Sequence, residues 1–198
     1  MENKHTHLVP EELEQLERLS LTGKYMKLQK SLDAFLFCCY AGMRYSDFTN
    51  LSKKNIVDIN QETWLIYKSV KTGTEVRLPL YLLFAGKGIV ILNKYRNNLE
   101  VFFRLRDNSN INKDLIIIAK LAGLSKKISF HTARHTNATL LIYNGVNITT
   151  VQKLLGHKSV KTTQVYTNIM DMTIVHDLEK MKQATLGIKK KTDNSFNK

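Results

Sequence analysis

One stretch of alternating residues, with helical patterns on both sides, sets the strongest limit on how this chain folds. Between positions 56 and 79, β-branched and aromatic residues alternate with polar ones, which predicts strands near 56–58, 63–69 and 75–78. Residues 71–74, KTGT, carry a glycine suited to a tight turn between the last two strands. We therefore expect three strands in one small antiparallel sheet.

Helical periodicity covers most of the remaining chain. Before the strands, apolar residues recur at helical spacing in VPEELEQLERL, KLQKSLDAFLFCCYAG and YSDFTNL. After Pro79 the pattern predicts helices at about 79–84, 87–100, 111–123, 132–144, 147–155, 159–168 and 172–185, with the longest loop at LRDNSNINKDL. The expected fold class is α+β, mainly α-helical with one small antiparallel three-stranded sheet.

Length and composition limit the class of protein. The chain has 198 residues, 43% of them hydrophobic, which suffices for one domain with a substantial core. No apolar run reaches the ~18 residues of a membrane span, and the polar N-terminus is unlike a secretory signal. Cys38 and Cys39 are adjacent in an apolar segment, which indicates core thiols in a reducing compartment. We expect a cytoplasmic protein that does not associate with membranes.

The distribution of charge indicates a polyanionic partner. The formal net charge is +13, and no carboxylate side chain occurs from position 115 to position 170. That region holds seven Lys and Arg residues and three His residues. Phosphates neutralised by such a surface release counterions, and this release favours binding. Nucleic acid is the expected partner, and the alternative is a basic surface without a dedicated partner.

Six side chains are candidates for chemistry at a phosphate. They are Arg44, Lys71, His131, Arg134, His157 and Tyr166. Cations stabilise the charge that develops on phosphorus, a tyrosine hydroxyl can act as covalent nucleophile, and lysine can protonate a leaving oxygen. His131 and Arg134 fall at a predicted helix N-terminus, where free N–H groups favour an anion. His157 follows Gly156 at another predicted helix start.

Taken singly, these residues also have ordinary structural interpretations. Arg44 near a helix end would commonly form a surface ion pair, here with Asp47 at i+3. Lys71 would be a solvated turn residue, and Tyr166 on an apolar helix face would belong to the core. His157 after a glycine would only cap a helix.

The spacing of His131 and His135 matches a pair of metal ligands on one helix. Position 132 is threonine, so the glutamate of a zinc-protease helix is missing. No Cys, Asp or Glu nearby supplies a third ligand, and we expect no metal. His135 is instead expected to be buried and to support the site.

The order of these residues resembles the catalytic domain of the tyrosine recombinases, the phage integrase family. In that family an arginine box is followed by a hairpin lysine, an H-x-x-R-H box, an L-G-H box and a tyrosine. The matching segments here are AGMRYSDFTNL, KTGTEVRLPL, FHTARHTNATLL and VQKLLGHKSVKTTQVYTNI. Ala41 replaces the usual threonine of the first box. The resemblance covers about residues 10–185, and its wording is closest to integrases of conjugative transposons and similar mobile elements.

The resemblance implies a site-specific DNA recombinase that works without metal, cofactor or ATP. Tyr166 would attack the scissile phosphate, forming a 3′-phosphotyrosyl link and freeing a 5′-hydroxyl. Arg44 and Arg134 would hold the non-bridging oxygens, and Lys71 would protonate the departing oxygen. His131 would be the acid–base group near the tyrosine.

The resemblance implies two further roles and an organisation for the chain. His157 would hydrogen-bond the phosphate, and Asp47 would position the first arginine. Residues 1–188 would form the catalytic domain, and residues 189–198 a disordered basic tail. Because the family's N-terminal core-binding domain is absent, we expect a fragment of a longer protein.

The expected partners also follow from the resemblance. They are double-stranded DNA with a recombination site and, for the full-length protein on DNA, three further copies in a homo-tetramer. The segment MDMTIVHDLEKMKQATL corresponds to the region that docks on a neighbouring protomer in relatives. We expect this chain alone to be a monomer.

Two other functions remain open at the level of sequence. One is a DNA-binding module of this fold that no longer cuts DNA. The other is a type IB topoisomerase, which shares the chemistry. The LLGH box and the short spacing to Tyr166 favour the recombinase.

Overall fold

A computed structural model describes residues 6–166 of the chain. Within that range the α-helices are α1 Pro10–Glu17, α2 Gln29–Ala41, α3 Tyr45–Thr49, α4 Lys87–Lys94, α5 Leu99–Phe103, α6 Asn108–Leu121, α7 Phe130–Tyr143, α8 Ile148–Leu155 and α9 Lys161–Gln164. The strands are β1 Ile56–Ile59, β2 Glu62–Lys68 and β3 Glu75–Pro79. Short 3-10 helices lie at Gly23–Leu28, Lys53–Asn55 and Leu83–Gly86. The predicted α+β class is confirmed.

The three strands form one antiparallel sheet in the order β1-β2-β3, each within about one residue of its predicted position. Leu65 of β2 pairs with Ile56 on one side and with Leu78 on the other. The second hairpin closes through the Ser69 amide, which donates to the Thr74 carbonyl at 2.8 Å. Leu65 and Leu78 are fully buried, so one sheet face packs on the helical core.

The core is built around α2, whose residues from Ser31 to Ala41 are all buried. This helix packs against α7 and α4, and α7 is itself buried from Thr132 to Ile142. Near them, Phe48 of α3 meets several aromatic rings edge-on, with centroids 5.3 Å apart for Phe102. Two helices without a solvent-facing stripe therefore cross at the centre of the molecule.

The prediction of a long loop at 105–115 is wrong, because α6 already begins at Asn108. Asp107 caps this helix, and its carboxylate accepts a hydrogen bond from the Asn110 amide at 3.0 Å. The polar residues of this segment are typical of a loop, but the aspartate before them supplies an N-cap that starts a helix. Arg106 also pairs with Asp114, nearly two helical turns inside α6.

Two predicted helices differ in the structure. The segment 87–100 divides into α4 and α5, with Tyr95 as the C-cap of α4 and its ring stacked on Phe102, centroids 4.2 Å apart. No regular helix covers 79–84; a turn leads into the 3-10 segment, where Phe84 and Ala85 have φ of 48° and 53°. The left-handed backbone at Phe84 and Ala85 thus breaks the second of these predicted helices.

The last predicted helices are described only in part. α9 covers four residues, Lys161–Gln164, of the predicted 159–168. The predicted helix at 172–185 and the basic tail at 189–198 lie outside the described residues. Among residues 6–166, no helix has both the length and the apolar character needed to cross a bilayer.

Candidate active site

Arg134 lies in α7 and is only 1% exposed. Its Nη1 donates to the Gly42 carbonyl and its Nη2 to the Leu155 carbonyl, both at 2.7 Å. These carbonyls lie at the C-terminal ends of α2 and α8, where the helix dipoles favour a cation. Burial, followed by the charge of Arg44, lowers the pKa of Arg134 to about 10. The guanidinium therefore remains charged at neutral pH, and its two hydrogen bonds fix its orientation.

Gly42 makes this close approach possible. It ends α2 in the left-handed conformation with φ of 66°, and its amide donates to the Cys38 carbonyl at 2.9 Å. A Cβ at this position would lie 2.6 Å from Asn137 Oδ1. Asn137 is one turn along from Arg134, and its Nδ2 donates to the Cys39 carbonyl at 2.9 Å. The end of α2 and the middle of α7 are thereby fixed relative to each other.

Arg44 lies two residues after Gly42 and is the N-cap of α3. Its Nη1 is 3.5 Å from Asp47 Oδ2 and donates to Ser69 Oγ at 3.3 Å. Its side chain is 15% exposed, whereas that of Asp47 is fully buried. The ion pair noted from the sequence is therefore present, but it is largely buried rather than on an open surface.

Asp47 also holds the second hairpin of the sheet. Its carboxylate accepts hydrogen bonds from the Val70 amide at 2.8 Å and from Ser69 Oγ at 3.3 Å. On the other side of the hairpin, Thr72 Oγ1 donates to the Gly156 carbonyl at 3.1 Å. Lys71 lies exposed between these two attachments. The hairpin thus presents this lysine from a tip that is anchored on both sides.

His157 follows the C-cap of α8 rather than starting a helix, which corrects the sequence prediction. Its amide donates to the Gln152 carbonyl at 3.0 Å, and α9 begins four residues later. The imidazole Nδ1 lies 2.9 Å from the buried Thr163 Oγ1. Burial, then the charges of Arg134, Arg44 and Lys71, lower its pKa to about 4. His157 is therefore neutral at pH 7, and the charges of three nearby cations oppose its protonation.

Tyr166 is 5% exposed, and its hydroxyl lies 3.0 Å from His135 Nδ1. The rings of His135 and His131 meet edge-on with centroids 4.4 Å apart, and His131 is exposed. Burial raises the pKa of Tyr166, while the charges of Arg134 and Arg44 oppose that increase. The hydroxyl is therefore within electrostatic range of both guanidinium groups, and an imidazole is its immediate neighbour.

All six candidate residues thus belong to one chain of neighbours. Electrostatic interactions join His157 to Lys71 and both arginines, and both arginines to Tyr166, and ring and hydrogen-bond contacts join Tyr166 through His135 to His131. The sequence reasoning missed three hydroxyl side chains that orient them: Ser69, Thr72 and Thr163. Their positions in the sequence could have indicated them. Ser69 lies two residues before Lys71, Thr72 directly follows Lys71, and Thr163 lies three residues before Tyr166. Such an arrangement can neutralise a phosphodiester and place a phenol beside it.

Within residues 6–166, no three His, Cys, Asp or Glu side chains come close enough to hold a metal ion. The pair considered from its spacing, His131 and His135, is in ring contact, with His135 directed to Tyr166.

Comparison with known proteins relates the chain to one family. Residues 7–172 match the model of the phage integrase family. A tyrosine recombinase of Thermosipho africanus is 32% identical over 174 residues, covering 82% of this chain and 59% of that protein. The crystal structure of XerA recombinase is 25% identical, with a TM-score of 0.65 over 86% of this chain and 65% of that chain.

A mobile-element enzyme shares the fold as well. The Tn1549 transposon integrase, solved in complex with circular intermediate DNA, has a TM-score of 0.61 and is 18% identical, covering 82% of this chain and 60% of that one. The chain spans about three fifths of the length of the curated relatives it matches. The family match extends through α1 to Tyr166 and includes every element that carries a candidate residue. The chain therefore belongs to the phage integrase family.

Proposed function

We propose that this chain is the catalytic part of a site-specific DNA recombinase that cuts and rejoins strands through a 3′-phosphotyrosyl intermediate. The observation that carries the proposal is the position of Tyr166, whose hydroxyl is buried within electrostatic range of Arg134 and Arg44. A phosphate bound by both arginines would lie next to the phenol. Residues 1–188 are proposed as this catalytic domain.

The chemistry follows from the placement of the side chains. Arg134, fixed by two carbonyls, and Arg44, fixed by Asp47, hold the non-bridging oxygens. The tyrosine oxygen forms a bond to phosphorus while the bond to the 5′-oxygen breaks. Lys71 donates a proton to that oxygen from the hairpin tip, and His131 is the acid–base group near the phenol, with His135 in support.

Neutral His157 adds a hydrogen bond without adding charge. Its pKa of about 4 keeps it uncharged at pH 7, and its contact with Thr163 orients the ring. Because the phosphotyrosine preserves the energy of the phosphodiester, a 5′-hydroxyl of a partner strand can attack it. Rejoining then requires no nucleotide and no metal.

Double-stranded DNA with a recombination site is the proposed substrate, consistent with the net charge of +13 and the carboxylate-free region. We further propose a homo-tetramer on DNA for the full-length protein, a monomer for this chain alone, and action on DNA in the cell interior. A mobile element is the proposed source of that DNA.

The test is covalent capture of DNA. The protein is incubated with a pool of nicked duplexes of randomised sequence, and adducts that resist denaturant are isolated and sequenced. We expect an adduct with the wild type, none with Tyr166→Phe, and an undiminished yield with the matched control Tyr81→Phe. Arg44→Ala should slow cleavage of the selected duplex by at least ~10²-fold, because one charged donor is lost.

Other outcomes point to other functions. DNA binding without any adduct would indicate a module that no longer cuts and would overturn the proposal. Relaxation of supercoiled DNA that lacks any selected sequence would indicate a topoisomerase. Near-normal cleavage by Arg44→Ala would remove this arginine from the phosphate clamp.

A further inference from the structure

The side chain next to the Tyr166 hydroxyl is His135. His135 Nδ1 lies 3.0 Å from the hydroxyl, within the normal range of a hydrogen bond. Both residues are buried, with 8% and 5% of their surface exposed, and their rings lie 5.5 Å apart. Water therefore has little access to the phenol proton, and a protein side chain is already in place to take it.

We propose that His135 is the base that accepts the proton of Tyr166 during cleavage, an inference that rests on the proposed function. With the imidazole proton on Nε2, the bare Nδ1 accepts the phenol hydrogen bond. As the phenol oxygen bonds to phosphorus, its proton moves to Nδ1 and leaves an imidazolium. The bond from phosphorus to the 5′-oxygen breaks, and that oxygen takes a proton from Lys71. Rejoining reverses both transfers.

Several titratable and charged groups surround His135 and would influence a proton held on its imidazole. On α7 these groups are His131, in ring contact, and Arg134, the preceding residue. From other elements, Lys113 and Lys127 line with both histidines an open groove of about 900 Å³. His131 is exposed, so it offers the imidazole pair a connection to solvent. His135 is thus the buried acceptor of the proton, and His131 is its exposed partner.

The first test compares His135→Asn with Thr139→Val on the selected nicked duplex. Asparagine keeps a polar atom near the Nδ1 position but cannot take a proton, so cleavage should slow by ~10²-fold or more, the scale of general base catalysis. Thr139 is one turn along α7, and its buried Oγ1 has no hydrogen-bond partner among residues 6–166. Thr139→Val should therefore cleave at nearly the wild-type rate.

The pH profile distinguishes a base from a structural support. The wild-type rate should level off once the imidazole is neutral. The rate of His135→Asn should keep rising about tenfold per pH unit, because hydroxide must now remove the proton. Site-specific replacement of Tyr166 by a fluorinated tyrosine of lower pKa should recover much of the lost rate in His135→Asn and gain little in the wild type.

A spectroscopic test does not depend on activity. In the long-range 1H–15N spectrum of the imidazoles, the signals lost in His135→Asn identify this residue, and they should show the proton on Nε2 and a bare Nδ1. A proton on Nδ1 would make His135 the donor and overturn the inference. The inference would also be overturned if His135→Asn cleaved the selected duplex as fast as an active wild type. A wild type that forms no adduct overturns the proposed function, and the inference with it.

Discussion

Asp47→Asn tests whether one buried carboxylate assembles the site. The side chain is fully buried and accepts hydrogen bonds from the Val70 amide at 2.8 Å and from Ser69 Oγ at 3.3 Å, with Arg44 Nη1 at 3.5 Å. Asparagine keeps the shape and one acceptor oxygen, but it replaces the other with an NH2 group. The charge that balances Arg44 is lost, and a donor can come to face a donor.

The magnitude follows from these contacts. Hydrogen bonds that involve a charged group contribute about 1.5–3 kcal/mol, and breaking a buried ion pair costs about 3–5 kcal/mol. Arg44 is 15% exposed and its distance to Asp47 is long, so water recovers part of that loss. We expect Asp47→Asn to lower the free energy of unfolding by about 2–4 kcal/mol. Because the Val70 amide adjoins Lys71, the hairpin tip should also loosen.

Urea denaturation followed by circular dichroism measures the first effect, and amide hydrogen exchange at Val70 measures the second. The matched control is Asp58→Asn on β1, where an exposed carboxylate accepts from Thr63 Oγ1 at 3.2 Å. The control should change stability by less than about 0.5 kcal/mol. If Asp47→Asn falls in that same range and Val70 exchange is unchanged, Asp47 does not hold the site together.

Two further predictions concern the packing and the charge of the site. Gly42→Ala should destabilise the protein by about 2–4 kcal/mol, because a Cβ would lie 2.6 Å from Asn137 Oδ1 and 2.8 Å from Leu155 Cδ2 in addition to the left-handed backbone strain. Gly23→Ala shares a positive φ of 54° but meets nothing within 4 Å, so an equal loss of stability in both variants in thermal melts would refute the clash. His157, with a pKa lowered from 6.5 to about 4, binds its proton more readily in the unfolded chain, so stability should fall as the pH drops from 6.5 toward 4. His157→Gln should show a flatter decline over that interval in urea titrations, and a profile identical to the wild type would contradict the buried neutral imidazole.

Local sequence patterns were enough to predict many of the helices and strands. The alternation of residues and the turn glycine located three strands within about one residue, and apolar periodicity located α2 up to Gly42. Such patterns record short-range preferences for backbone conformation and for which face is buried. They misjudged the start of α6, where Asp107 acts as an N-cap and the polar letters resemble a loop.

The sequence by itself determined the inventory of the site: two arginines, a lysine, histidines and a tyrosine, in an order that identifies the family. Only the tertiary structure decided how they meet. Arg134 bridges carbonyls that lie 92 and 21 residues away along the chain, and Tyr166 contacts His135 across 31 residues. Periodicity extends over a few turns, whereas these contacts depend on how closely α2, α7 and α8 pack. Which imidazole faces the phenol is therefore a property of that packing.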